Sequence, residues 1–405
     1  MKKTIYLLAL LPWLLSCSKN ADFVVRENPD DINELLEAEA ALKRWPLDID
    51  YSSNLPDYLK AVGMQNQPVN NLKAGLGRVL FYDKNLSRDR KISCASCHKQ
   101  EKAFSDNVAF SKGIEGRLTA RNSMPLANVS NFAAHYNTIN GLTPLLFWDE
   151  RAVSVAAQSR ATFANPAEMG MEMHEVAARV QEQSFYSYFW KQAYGDFNVT
   201  DEQVLECLSA FVGALGGSDS KLDRALIKVG GNINFSDLDT IVAAVYYGSG
   251  HDTTFNLLGL PGFSASENRG RNIFVSNCSK CHSPIRPFQE VFAACNGLEE
   301  NYTDQGLGQL TGNPADNGVF KSPSLRNIAL TAPYMHDGRF KTLREVINFY
   351  SDEVKNHPNL PPQMLHKGDR NLHLTQQEKD DLLAFLHTLT DEGIASDPRF
   401  ANPFK

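Results

Sequence analysis

A chain of 405 residues, 42% of them hydrophobic, is long enough to bury two or three cores. Its formal charge of −7, with lysines and arginines scattered rather than blocked, excludes a nucleic-acid footprint. Past the N-terminus no apolar run reaches bilayer-spanning length, so the body is read as soluble.

Lys2 and Lys3 precede an apolar run from Ile5 to Leu15, and "LLSC" then places Cys17 where a lipoprotein signal is cut. Residues 1–17 are read as that signal, with Cys17 becoming the lipidated N-terminus; an ordinary secretory signal with an incidental cysteine is the other reading. Both export the chain, to the periplasmic side or the cell surface, and the membrane is a partner through the lipid alone. Residues 18–55 read as a polar tether carrying one short helix around Asn33 to Arg44.

From Gly77 the chain reads "GRVLFYDKNLSRDRKISCASCH", and from Gly270 it reads "GRNIFVSNCSKCH". A Gly-Arg-x-aliphatic-Phe helix stands before a cysteine motif both times, which points to two units in tandem. A helix capped by Thr200 with Gln203 buries Val204, Leu208, Phe211, Val212 and Leu215 and ends the first unit, residues 56–217, at Gly216-Gly217. Residues 218–262 read as a linker or insertion with no assignable chemistry. The second unit, residues 263–392, opens with a helix capped by Ser264 and Glu267. It closes with one capped by Thr375 and Glu378, whose Leu382, Leu383, Phe385, Leu386 and Leu389 pack on the Ser266 to Phe274 helix. Before that, Leu343, Val346, Ile347 and Tyr350 form an apolar stripe at helical spacing. Residues 393–405 read as a tail. Strand alternation is nearly absent, so the fold class is mainly α: two cytochrome c-like domains in tandem with long loops.

The chemistry lies in "CASCH" (Cys94, Cys97, His98) and "CSKCH" (Cys278, Cys281, His282). Each is the C-x-x-C-H signature of covalent haem c attachment: two thiols add to the porphyrin vinyl groups, and the adjacent histidine ligates iron. Structural zinc and redox disulfides are the competing readings. Ribbon-type zinc knuckles lie within about twenty residues of one another, far closer than Cys97 and Cys278, and neither alternative explains the two histidines. Cys207, on the apolar face of the third helix, is read as a buried free thiol; a disulfide to Cys295 is the other possibility.

With "RNSMPLANVS", "FWDERA", "NPAEM" and "FKSPSLRNIALTAPYMHDGRFKTL" in order, residues 56 to 392 resemble the bacterial di-haem cytochrome c peroxidase/MauG family. The resemblance implies two covalent haems c, the first peroxidatic with His98 as proximal ligand. It implies Glu168 as acid and base toward hydrogen peroxide, with Gln158 beside it; standing alone, Glu168 would be a solvated acid at a helix start. It implies Trp148 as an electron relay between the haems, where a lone tryptophan would be core. It further implies one Ca²⁺ held by Asn122, Thr331 and Pro333, a chemistry suited to amide and carbonyl oxygens. Family members often pair as homodimers.

Two departures are informative. Many such peroxidases cap the resting first iron with a histidine from the loop after the first motif, yet none occurs between His98 and His135. An uncapped first haem, active without prior reduction, is therefore expected. The second haem of the peroxidases is His/Met, and the methionine stands fourteen residues after the histidine of "HDG"; counted from His336, that position is Tyr350. MauG has tyrosine there. His282 and Tyr350 are read as the second haem's ligands, with Met364 the runner-up and Met335 also conceivable. An anionic phenolate lowers the potential that a thioether would raise. The match to MauG is incomplete, since Thr162 stands at its distal proline and Glu150 where the family has glycine.

The leading functional reading is an enzyme that reduces hydrogen peroxide with electrons from a small cytochrome or cupredoxin. The alternative is MauG-like oxidation of a partner protein, and a third reading is a non-catalytic electron carrier or haem sensor. An acid–base group over an open iron argues for the enzyme.

Overall fold

The computed structural model describes residues 29–61, 68–129, 146–230, 259–282 and 293–405. The signal with Cys17, and residues 231–258 of the linker, lie outside the described residues. The described part is mainly helical. Its one sheet pairs the three-residue strands Ala293–Cys295 and Val319–Lys321 antiparallel, with Ala293 opposite Lys321.

Two helix crossings organise the molecule. Asn71–Tyr82 packs on Asp201–Ala214, and Ala265–Asn277 packs on Gln376–His387. A Cβ on Gly77 would fall 1.9 Å from the Cys207 carbonyl oxygen, and one on Gly270 would fall 1.9 Å from that of Asp381. No side chain fits such an approach, which is why glycine opens both repeats. One turn further on, Phe81 meets Phe211 with centroids 5.3 Å apart, and Phe274 meets Phe385 at 5.1 Å. The repeat seen in sequence is one crossing used twice. All three capping boxes form: Thr200, Ser264 and Thr375 each accept from the backbone N–H three residues on.

Long-range contacts tie the two cores together. The first helix spans Pro29–Ala41, earlier than the sequence pattern placed it, and packs on Tyr186–Tyr194. Residues 393–405 lie over the first core, where Phe400 is buried against Phe104 and Phe211. There Arg78 Nε donates to the Ala401 carbonyl at 2.6 Å. Leu55, Tyr58 and Leu59 join Leu222 and Leu226 in the second core. Beside them the buried Asp223 carboxylate accepts from Arg326 Nη1 and Nη2 at 3.0 and 2.9 Å and from the Tyr58 hydroxyl. Cys207 and Cys295 are both buried and free, so no disulfide joins them. Among the described residues no helix is long and apolar enough to cross a membrane.

Candidate functional site

The first motif is a single helical turn, Cys94–Cys97, closed by the His98 N–H on the Cys94 carbonyl at 2.9 Å. His98 Nδ1 meets the Phe104 carbonyl oxygen at 2.8 Å, an arrangement that leaves Nε2 for an axial ligand. Ala103 and Phe104 both have positive φ, 50° and 62°, and this bend presents that carbonyl to the ring. Burial pushes the Cys94 thiol up to about 12, and the neighbouring Cys97 and the Glu168 carboxylate add to the rise. Cys97 rises to about 11 by burial, with Asp106 and Glu168 contributing. Glu168 is thus close enough to both thiols to act on them through its charge.

A short turn holds Glu168. The helix Val155–Ala164 carries half-buried Gln158 and ends at Asn165. The Asn165 Oδ1 accepts from Ala167 N–H at 2.9 Å, while its Nδ2 donates to Glu168 Oε1 at 2.6 Å. Burial raises the Glu168 carboxyl above the usual range, against Asn165, the Thr162 hydroxyl and Arg151, which pull it down. Thr162, at the MauG proline position, therefore gives the carboxylate a hydroxyl. The loop after the first motif supports this turn from below: a Cβ on Gly113 would lie 1.9 Å from the Ala167 carbonyl oxygen, and Ile114 N–H donates to the Glu168 carbonyl at 3.0 Å.

In the second motif the His282 N–H closes on the Cys278 carbonyl at 2.9 Å, and His282 Nδ1 meets the Pro323 carbonyl oxygen at 2.9 Å. The ring again keeps Nε2 free. A cavity of about 340 Å³ opens over Cys278, Cys281 and His282, walled by Phe274, Leu325, Ile328, Ile347 and Leu382. Such a largely apolar chamber, with two thiols and an imidazole on one wall, fits a covalently held haem. Tyr350, Met335 and Met364 also line it. The α-helix Leu343–Asn348 stops short of Tyr350, which lies in a π-helical turn, Phe349–Glu353. The apolar stripe predicted a regular helix through that residue; the backbone widens into a π turn there, while Leu343, Val346, Ile347 and Tyr350 still line one cavity. Burial pushes the Tyr350 phenol up to about 12.

Trp148 and Asn122 line the same cavity, and the indole Nε1 donates to the Asn122 carbonyl at 2.9 Å. The Trp148 carbonyl accepts from Lys321 N–H at 2.8 Å, so the tryptophan is pinned from both units. Arg121 clamps the same junction, bidentate to Asp304 at 2.6 and 2.7 Å and bonded to Asp149 at 2.5 Å. Asn122 N–H donates to the His336 carbonyl at 2.7 Å, and the His336 ring stacks on Phe320 at 3.9 Å. Thr331 and Pro333 join Asn122 on the cavity wall. The Asn122 Nδ2 donates to the Val108 and Ala109 carbonyls at 3.0 and 3.3 Å, so Oδ1 is directed away from them. Glu150 has φ of 61°, which explains glycine as the family residue there.

Four side chains here escaped the sequence analysis. Asn165 was legible in principle, because Asn-Pro marks a turn. Arg121, Asp304 and Asn296 carry no local signal; the last meets Tyr350 from 54 residues away in the chain.

Comparison with known proteins gives the family. Residues 71–229 match the model of the di-haem cytochrome c peroxidase family. The MauG methylamine utilization protein of Paracoccus denitrificans is 29% identical over 381 residues, spanning 81% of this chain and 90% of that one. Cytochrome c551 peroxidase of Nitrosomonas europaea is 28% identical, over 82% and 83% of the two chains. The crystal structure of a MauG-like protein associated with microbial copper homeostasis superposes with a TM-score of 0.67 at 30% identity, covering 84% of this chain and 95% of that one.

Proposed function

The chain belongs to the di-haem cytochrome c peroxidase family, and from that premise we propose that it reduces hydrogen peroxide at the first motif, Cys94, Cys97 and His98. Electrons reach that motif through the Cys278–His282 site from a small cytochrome or cupredoxin. When bound, the two haems supply iron centres that exchange single electrons. The chain's own residues do the rest. Glu168 takes the proton from one peroxide oxygen and returns it to the other, so that the second leaves as water. Gln158 orients the peroxide, Trp148 bridges the two motifs, and Asn122, Thr331 and Pro333 hold calcium at the junction. The carrying observation is the half-buried Glu168 carboxyl, held by Asn165 and close enough to the first motif's thiols to raise both. A carrier protein has no use for it.

No histidine follows His98 in the adjoining loop, which supports a first site open to peroxide without prior reduction. A resting spectrum showing only six-coordinate low-spin haem would overturn that. Cys17 tethers the enzyme by lipid to the outer face of a membrane. One observation favours a second reading: Tyr350, rather than methionine alone, faces the second haem cavity. A phenolate ligand makes that site a poor electron reservoir and suits MauG-like oxidation of a partner protein. Steady-state turnover of hydrogen peroxide with a reduced donor tests the enzyme. Absence of turnover with every donor would leave the carrier.

A further inference from the structure

Asn296 stands at the edge of the second cavity, directly after the Ala293–Cys295 strand. Its Nδ2 donates to the Tyr350 hydroxyl oxygen at 3.3 Å and approaches Met335 Sδ at 3.7 Å. Its Oδ1 accepts from Leu298 N–H at 3.2 Å and from the Tyr302 hydroxyl at 3.1 Å. A backbone N–H can only donate, so the Leu298 contact settles which end of the amide is oxygen. The group that faces the phenol oxygen is therefore a donor.

Tyr302 braces this arrangement. Its hydroxyl accepts from Leu298 N–H at 2.7 Å while donating to Asn296. Its ring occupies the space a Cβ on Gly318 would need, 2.4 Å from that position, and Gly318 has φ of +75°. Two donors thus hold Oδ1, and the amide cannot rotate without losing both. The Tyr350 oxygen is left with the amide's donor end.

We propose that Asn296, locked by Tyr302, is a positioning residue that holds the Tyr350 oxygen toward the second haem and drains charge from it. The inference rests on Tyr350 being a ligand of that haem. A hydrogen bond to an anionic ligand oxygen weakens its donation to iron and so raises the reduction potential. Losing it makes the oxidised form of the second haem about tenfold more favoured, or about 59 mV for one electron. Met335, on the same amide edge, stays a bystander.

The test uses the holoprotein with both haems attached. Asn296→Asp keeps the size but replaces the donor with an acceptor, Asn296→Leu removes both, and Tyr302→Phe frees the amide. EPR and redox titration are read for each haem separately. All three variants are expected to lower the second haem's potential, Asp most and Phe least, with the first haem's signals unmoved. If Tyr350→Phe changes the second haem's spectrum while Asn296→Asp and Asn296→Leu leave its spectrum and potential unchanged, the positioning role is refuted. If Tyr350→Phe itself changes nothing, the ligand reading fails and takes this inference with it.

Discussion

Replacing Glu168 with glutamine removes one exchangeable proton and little else. The amide has the volume of the carboxyl, and its oxygen still accepts from Asn165 Nδ2, which lies 2.6 Å from Glu168 Oε1. The turn built by Asn165 and the support from Gly113 are untouched, so folding and haem attachment should be unchanged. What disappears is a half-buried base close to the first motif. General acid–base catalysis contributes about 10²- to 10⁴-fold, so the barrier rises by roughly 2.7–5.5 kcal/mol. Stopped-flow reaction with hydrogen peroxide, normalised to haem content, reads the loss directly. Asn165→Ala adds a check with a sign. Burial raises the Glu168 carboxyl and Asn165 lowers it, so deleting the amide moves it further up. The basic form takes the proton, so the acid-side fall in activity should move to higher pH. A fully haem-loaded Glu168→Gln protein within tenfold of wild type would refute the catalytic role, and an unmoved pH profile in Asn165→Ala would refute the geometry.

Other perturbations test the frame. Gly270→Ala sets a methyl group 1.9 Å from the Asp381 carbonyl oxygen, which cannot rotate aside. The cost should sit at the upper end of overpacking, about 3 kcal/mol, seen as a Tm lower by roughly 6–12 °C; an unchanged Tm would mean the helices are not in this contact. Phe400→Ala should destabilise the first unit by about 3–5 kcal/mol in denaturant unfolding, since that ring is buried. A loss below about 0.5 kcal/mol would mean the C-terminal segment is not docked.

Arg326→Leu strands the buried Asp223 carboxylate, a loss of about 3–5 kcal/mol near neutral pH. In the native chain burial would raise that carboxyl, but Arg326 foremost, with Tyr58 and Ser220, holds it below the usual range. Its stabilisation is therefore present above the unfolded pKa and lost as pH falls through the folded one. Without the guanidinium burial wins and the folded pKa rises above the unfolded value. The variant should then become more stable, relative to its own value at neutral pH, as pH is lowered toward the unfolded pKa. Denaturant melts from pH 7 to 5 that run parallel in both proteins would contradict this.

The parts legible in sequence are those whose partners lie within a turn or two. C-x-x-C-H and the capping boxes are local, and each forms as the spacing predicts. The Gly77 and Gly270 repeat was legible as a repeat, but only the structure gives its cause, two helix backbones in contact. The remaining features are long-range. Tyr58, Asp223 and Arg326 come from three distant segments, and Asp223 has no feature in sequence that marks it as buried. Residues 393–405 read as a tail because their apolar residues, Ile394, Phe400 and Phe404, follow no period; they fit a surface already made by Phe104, Phe211 and Phe185.

Tyr350 lies between these cases. A count of fourteen from His336 found it, and a helical period of 3.6 gave it a place on the core face; these are different arguments that agree on the residue and differ on the backbone. A continued α-helix would carry Tyr350 along the same stripe as Leu343 and Ile347, whereas the chain opens into a π turn at Phe349. Tyr350 nonetheless lines the same cavity as Leu343, Val346 and Ile347. Meeting Asn296 then requires a second segment fixed independently, which Leu298, Tyr302 and Gly318 supply. The two units share a helix crossing and an attachment motif, and they differ in what lies near each motif: a carboxyl held by a turn near the first, a phenol bonded to an amide in the cavity of the second. One backbone frame thus carries two different chemical surroundings, set by side chains that the frame does not specify.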